Sequence, residues 1–126
     1  MSKLKNHPQN VGKYLLVDKI KKLRKTMSVD PQVKRLLWFV FAGSRGGINR
    51  LKIMKILKER PSNTNQLATE LGFDYKAIQH HIKVLEKNNL ITKEGEKYGI
   101  SYFISTFLEV NMEAFDEIVE KLEKSK

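Results

Sequence analysis

Residues 63–89 limit the fold more than any other part of the chain, because they have the pattern of two short helices joined by a tight turn. Asn63 and Gln66 occupy the positions of a capping box, which satisfies free N–H groups at a helix start. Gly72 then interrupts the pattern, and Asp74 stands where it can cap a second helix. Two short helices around a glycine-containing turn are typical of a helix-turn-helix.

The flanking sequence predicts further elements on both sides. Asp30 and Pro31 indicate a helix start, with the helix running over about 31–42 and ended by "GSRGG"; another helix follows and stops at Arg60, before Pro61. After the helix-turn-helix, "LITKE" and "ISYFIS" surround "GEKYG", which predicts a β-hairpin. We expect the Tyr102 and Ile104 face of the hairpin to point inwards. Thr106 and Glu109 form a T-x-x-E box that predicts the start of a final helix.

These patterns predict a mainly α protein with a small β-hairpin, that is, a winged helix-turn-helix with flanking N- and C-terminal helices. We divide it into a basic N-terminal extension (1–29), a winged-helix DNA-binding domain with a preceding apolar helix (30–105) and a C-terminal dimerisation helix (106–126). The extension is expected to contain a short helix. One face of that helix would carry Leu16, Ile20, Leu23 and Met27.

The charge of the chain favours a polyanionic partner. There are 24 Lys and Arg against 14 Asp and Glu, a net charge of +10. Residues 106–126 contain six acids and three lysines, so the first 105 residues carry +13. A general richness in lysine is the alternative explanation. The absence of cysteine excludes disulfides, thiolate zinc sites and cysteine nucleophiles, and it fits a cytoplasmic protein.

Two apolar features predict a homodimer. "LLWFVFAG" (36–43) is far shorter than the roughly 20 apolar residues of a membrane-spanning helix, so it is expected to be a buried helix or a dimer surface. A helix lying on a membrane stays a second possibility. The final helix carries an apolar stripe that is a further dimer candidate, formed by Leu108, Phe115, Ile118 and Leu122. The N-terminus has no signal-peptide pattern, so we expect the chain to stay inside the cell, and the shortness of residues 36–43 leads us to expect no membrane partner.

The helix over 74–89 separates into an apolar and a basic side at about 100° of rotation per residue. Ile78, Ile82 and Leu85 form the core side, with His81 as a hydrogen-bonded residue at its edge. The opposite side is formed by Lys76, Gln79, His80, Lys83 and Lys87. Glutamine can recognise an adenine edge, and lysines can bind phosphates or guanine. A merely solvated face is the alternative.

A metal or catalytic site is not expected. His80 and His81 are neighbours in sequence and point about 100° apart, so they cannot chelate one ion from a helix. His7 is the only other histidine. No nucleophile, base and orienting group or phosphate-binding glycine loop can be assembled. We therefore predict no cofactor and no enzymatic activity.

The segment "SRGGINRLKIMKILKERPSNTNQLATELGFDYKAIQHHIKVLEKNNLITKEG" resembles the winged helix-turn-helix of archaeal transcription regulators in the ArsR-like group. The resemblance covers roughly residues 44–105, and its most specific parts are "NQLA", "DYK" and "HHIKVLEKNNLI". It implies a dimeric DNA-binding repressor or activator whose second motif helix enters the major groove of double-stranded DNA. The DNA contacts that it implies are Tyr75, Lys76, Gln79, His80 and Lys83.

The predicted wing contributes a weaker contact. It mixes Lys93 and Lys97 with Glu94 and Glu96, so its grip on phosphate should be modest. Metal-sensing members of the group often use cysteines, which this chain lacks, so the resemblance leaves the effector unknown. A winged-helix subunit of the transcription machinery that binds protein is the alternative function. The basic arc on the 74–89 helix argues against it, because protein-binding surfaces more often carry apolar side chains there.

Overall fold

The computed structural model describes residues 11–25, 30–97 and 99–125. These residues form a mainly helical protein with one antiparallel hairpin, which confirms the predicted winged helix-turn-helix with flanking helices. In chain order the elements are α1 (Val11–Lys25), α2 (Pro31–Phe41), α3 (Gly47–Glu59), α4 (Thr64–Leu71), α5 (Tyr75–Lys87), β1 (Ile91–Glu94), β2 (Ser101–Ile104), α6 (Thr106–Val110) and α7 (Met112–Lys124).

The helix starts of α2 and α4 are those that the sequence predicts. The Asp30 carboxylate accepts a hydrogen bond from the Gln32 N–H at 2.8 Å. Asn63 and Gln66 form the full capping box, with bonds of 2.7 and 2.8 Å. Gly72 ends α4 in the left-handed region at φ 70°, where glycine has no steric penalty. The helix-turn-helix is therefore fixed by local interactions.

Two predicted caps are wrong. Asp74 precedes α5, but its side chain makes no capping hydrogen bond. The last helical region is capped by Ser105 instead of Thr106, because the Ser105 hydroxyl accepts from the Leu108 N–H at 3.0 Å. The same hydroxyl donates to the Asn89 carbonyl at 2.7 Å. Ser105 is thereby held between the end of α5 and the start of α6, which leaves Thr106 exposed.

The predicted dimer stripe lies inside the protein. Leu108, Phe115 and Ile118 are 0%, 2% and 5% exposed, and they belong to the core that α2, α3 and α5 also line. The Phe115 ring meets Phe41 of α2 edge to face, with centroids 5.4 Å apart. The stripe cannot be the dimer surface, because α2 needs this apolar cover within its own chain. The expected single C-terminal helix is also divided, at Asn111.

The apolar segment 36–43 is split between core and surface. Leu37, Val40 and Phe41 are fully buried, whereas Trp38 and Phe39 are 48% and 56% exposed. In the described residues no helix has both the length and the apolar content to span a membrane.

Helix α1 packs against α6 through a face that differs from the predicted one. Leu16 is 60% exposed, while Val17 is 5% exposed and Ile20 is half-buried. The rotation of the helix about its axis is therefore set by Val17. Of the other predicted members, Met27 and the side chain of Leu23 lie outside the described part of the chain.

The hairpin is attached to the helical body by its second strand. Ile91 pairs with Ile104 and Lys93 with Tyr102. Tyr102 and Ile104 pack against the core, which confirms the predicted inner face. Backbone hydrogen bonds of 2.9 and 3.3 Å also join Tyr102 to Ser62, in the connection between α3 and α4. The wing is thus fixed beside the helix-turn-helix.

Candidate nucleic-acid interface

Helix α5 presents a polar face opposite the core. Ile78, His81, Ile82 and Leu85 are buried. The residues predicted on the other side are all exposed: Lys76, Gln79, His80, Lys83 and Lys87. The assignment of the two sides from helical periodicity is therefore confirmed, although the role of the exposed side chains remains a prediction.

A groove runs between α5, the start of α4 and the wing, with a volume of about 430 Å³. It brings together five of the eight predicted contact residues, namely Tyr75, Gln79, Lys83, Lys93 and Lys97. The other three, Lys76, His80 and Lys87, are exposed but do not line it. The predicted residues thus form a groove and an adjoining stripe along the same helix.

The groove is also lined by polar groups that the sequence did not indicate as part of a site. They are Asn63, Thr64 and Asn65 at the start of α4, Glu86 on α5 and Tyr102 on β2. Burial raises the pKa of Tyr102, and the nearby Glu86 raises it further, while a hydrogen bond with Thr64 lowers it. The phenol therefore stays protonated at neutral pH. Only Asn63 carried a sequence signal, and that signal was for a helix cap.

The basic charge of this surface is not neutralised by neighbouring carboxylates. Across the described residues, Lys76, Lys83, Lys87 and Lys93 form no ion pair. The acids of α7 instead pair with lysines of α2 and α3, in the pairs Lys34–Glu117, Lys55–Glu123 and Lys58–Asp116. The acidic C-terminal helix therefore compensates lysines of α2 and α3 and leaves those of α5 uncompensated.

Beneath α5, a buried arginine joins three parts of the fold. Arg50 of α3 is 2% exposed. Its guanidinium donates to the Val40 carbonyl at the end of α2 and to the Arg45 carbonyl, at 3.1 to 3.2 Å. It also donates to the Ser44 hydroxyl at 2.6 Å and lies 3.3 Å from Nδ1 of His81.

Sequence reasoning missed Arg50 but placed His81 correctly. His81 is 7% exposed and has a hydrogen-bonding partner, as predicted. Burial, together with the charges of Arg50 and His80, lowers the pKa of His81, so its ring is neutral at pH 7. The available signal for Arg50 was its spacing of three and seven residues from Ile53 and Leu57, which puts it on the buried side of α3.

The described residues offer no metal-binding cluster, since no group of three or more His, Cys, Asp or Glu side chains is placed to hold an ion. The groove and the adjoining stripe carry mainly ammonium groups, amides, an imidazole and two phenols, together with the Thr64 hydroxyl and the Glu86 carboxylate. Such groups donate hydrogen bonds to phosphates and to the acceptor atoms on base edges.

Comparison with known proteins finds one matching family and structures of similar fold. Residues 49–93 match the family described as "Bacterial regulatory protein, arsR family". The structure is similar to that of reduced HlyU from Vibrio cholerae, with a TM-score of 0.54 and 20% identity over 72% of this chain and 90% of that chain. A second HlyU structure from the same organism gives a TM-score of 0.53 and 20% identity over 72% and 92%.

No curated protein sequence matches the chain. At 20% identity, the similarity to HlyU establishes the fold alone. The chain therefore carries, over residues 49–93, a helix-turn-helix domain like that of the arsR family, within a winged helix-turn-helix fold that it shares with HlyU.

Proposed function

We propose that this protein is a sequence-specific, double-stranded DNA-binding transcriptional regulator that acts as a homodimer in the cytoplasm, with α5 as the recognition helix in the major groove. The observation that carries the proposal is the exposed basic surface of α5 and β1, where Lys76, Lys83, Lys87 and Lys93 form no ion pair within the described residues. Its position on an arsR-like helix-turn-helix supports the same conclusion.

The contact residues fall into two groups by chemistry. Gln79 lines the groove near the middle of α5 and has the paired donor and acceptor that an adenine edge requires. The lysines bind phosphates, with Lys76, Lys83 and Lys87 on α5 and Lys93 and Lys97 on the wing. Tyr75 and His80 supply further hydrogen bonds. Lysines of residues 1–29 add a nonspecific attraction to the duplex.

The homodimer uses a surface on α2 and α7. Trp38 and Phe39 are both about half exposed, which is unusual for large apolar side chains that serve no interface. They line a groove of about 470 Å³ with Ala114 and Ile118. A second copy placed about a two-fold axis would cover both aromatic pairs at once, because such an interface uses the same patch on each subunit. It would also supply the second recognition helix for a symmetric operator.

A winged-helix subunit that binds another protein is the competing function. Its binding surface would carry apolar anchors, since protein interfaces concentrate aromatic residues at their centre. Tyr75 is the exposed large apolar residue on α5, and the rest of the outer face is basic or amide. We therefore propose DNA as the partner of this surface. We also infer that the protein is a binding protein and not an enzyme, and that it is of archaeal origin, as the sequence resemblance implies.

Selection of bound sequences from a pool of random duplex DNA tests the function directly. A regulator of this kind should enrich an inverted repeat, with half-sites separated by about one helical turn. The same selection with a Lys83→Ala, Lys87→Ala double variant should recover much less DNA. Equal recovery of all sequences by the unaltered protein would instead favour the protein-binding alternative.

A further inference from the structure

The buried guanidinium of Arg50 contacts α5 on the side that faces the core, and the proposed function gives this contact a role. Arg50 ties α3 to the end of α2 through the Val40 carbonyl. The same group reaches α5 through His81, with Nη1 and Nδ1 3.3 Å apart. Arginine can only donate here, so Nδ1 accepts and the imidazole proton sits on Nε2.

The backbone of residues 43–47 packs onto the same contact. Gly46 adopts φ 85°, in the left-handed region. A Cβ at this position would lie 2.8 Å from Cε1 of His81 and 3.0 Å from Nη1 of Arg50. The turn after α2 is therefore in contact with both members of the pair. A movement of α5 that displaces His81 therefore removes a contact of this turn.

The pair has no carboxylate to absorb a second positive charge. In the described part of the chain, Arg50 forms no ion pair. The charged or titratable groups that act on His81 are Arg50 from α3 and His80 from α5 itself, and both are basic. A proton on Nδ1 would remove the acceptor and put two cations about 3 Å apart in a buried site, which is strongly unfavourable.

We propose that Arg50 and His81 are positioning residues for DNA binding, which hold α5 against the end of α2 while His81 is neutral and release it when His81 takes up a proton. This inference rests on the proposed function. Burial and the neighbouring positive charges lower the pKa of His81 while it contacts Arg50. Protonation of His81 therefore disfavours this contact, as the proposal requires. The neighbouring His80 is exposed on the outer face of α5 and makes no contact with Arg50 in this arrangement.

The two adjacent histidines provide a matched experiment. Affinity for the selected duplex is measured from pH 7.5 to 5.5 at constant ionic strength, for the unaltered protein, His81→Asn and His80→Asn. Asparagine at 81 keeps an acceptor near the position of Nδ1 and does not titrate, so this variant retains the contact. We expect the unaltered protein to lose about threefold or more in affinity, beginning near pH 6.5, and His81→Asn to stay within about twofold. His80→Asn keeps the contact between Arg50 and His81, so it should still lose affinity in acid.

Arg50→Lys supplies the test of positioning. Lysine keeps the charge but lacks the planar fork that reaches the α2 carbonyl and His81 together. It should bind DNA more weakly than the unaltered protein at pH 7.5, with a smaller change on going to pH 5.5. Parallel pH profiles for the unaltered protein and His81→Asn would overturn the inference. So would a His80→Asn profile that does not fall in acid.

A second measurement needs no DNA. The imidazole titration of His81 and the amide hydrogen exchange of the whole protein are followed by NMR over the same pH range. Protection should fall selectively in α5 and residues 43–47 as His81 titrates, and unchanged protection there would contradict the inference. A protein that shows this release but binds no duplex at pH 7.5 would refute the proposed function and leave the positioning contact intact.

Discussion

Replacing Lys83 with alanine tests whether the basic surface of α5 binds phosphates. Each protomer exposes four lysines on α5 and the wing that lack an ion pair within the described residues: Lys76, Lys83, Lys87 and Lys93. Lys97 also lies on the wing but interacts within the chain, so it is not counted. If each lysine neutralises one phosphate, these four lysines alone should contribute about −7 to the slope of log affinity against log salt for a dimer.

Lys83→Ala removes one of these contacts per protomer, so the slope of the dimer should become shallower by about 2. The loss should be similar on the operator and on a scrambled duplex, because phosphates carry no sequence information. Gln79→Ala is the matched variant on the preceding turn of the same helix. It should weaken operator binding by about 1 to 3 kcal/mol per half-site, leave scrambled DNA nearly unchanged and keep the slope.

The assay is fluorescence anisotropy with labelled operator and scrambled duplexes at four or more salt concentrations. Lys58→Ala is the control, because Lys58 is paired with Asp116 and does not line the groove beside α5. An unchanged salt slope for Lys83→Ala, together with an unchanged operator preference for Gln79→Ala, would refute the reasoning. The outer face of α5 would then not be the DNA-binding surface, and binding of another protein would become the better explanation.

The remaining predictions concern assembly and stability. Replacing Trp38 and Phe39 with serine should give a folded monomer in sedimentation experiments, whereas a dimer of undiminished stability would exclude the α2 and α7 surface. Phe115→Ala should lower the free energy of unfolding by about 3 to 5 kcal/mol, because a fully packed ring is lost from the core. Phe103→Ala, at a half-buried wing position, should cost clearly less in the same urea titration. Since folding lowers the pKa of His81, the free energy of unfolding should fall as the pH drops below about 6.5, where the unfolded chain takes up the proton first. Urea titrations at pH 7.5 and 5.5 should show this loss in the unaltered protein but not in His81→Asn, and equal losses would show that another group is responsible.

Local sequence signals determined the secondary structure of the helix-turn-helix and the wing. The caps at Asp30 and Asn63, the glycine at 72 and the alternation along β2 each act over a few residues, so they can be recognised in the sequence. The two sides of α5 follow from the same kind of information, because helical periodicity alone separates Ile78 from Gln79. Helical periodicity therefore predicted Gln79 and Lys83, the hairpin signal predicted Lys93 and Lys97, and the family resemblance supplied Tyr75.

Tertiary structure decided which apolar surfaces are inside. An apolar stripe has the same sequence pattern whether it packs within the chain or against a second copy, so Phe115 and Ile118 could not be assigned until α2 was seen to need them. The exposure of Trp38 and Phe39 follows from that packing, because only part of α2 is covered by α7. The contact between Arg50 and His81 joins residues 31 positions apart, and a pairing at that distance leaves no periodic signal in a single sequence. Local interactions thus fixed the elements and the face that α5 presents, whereas the position of α5 against the rest of the protein depends on long-range packing.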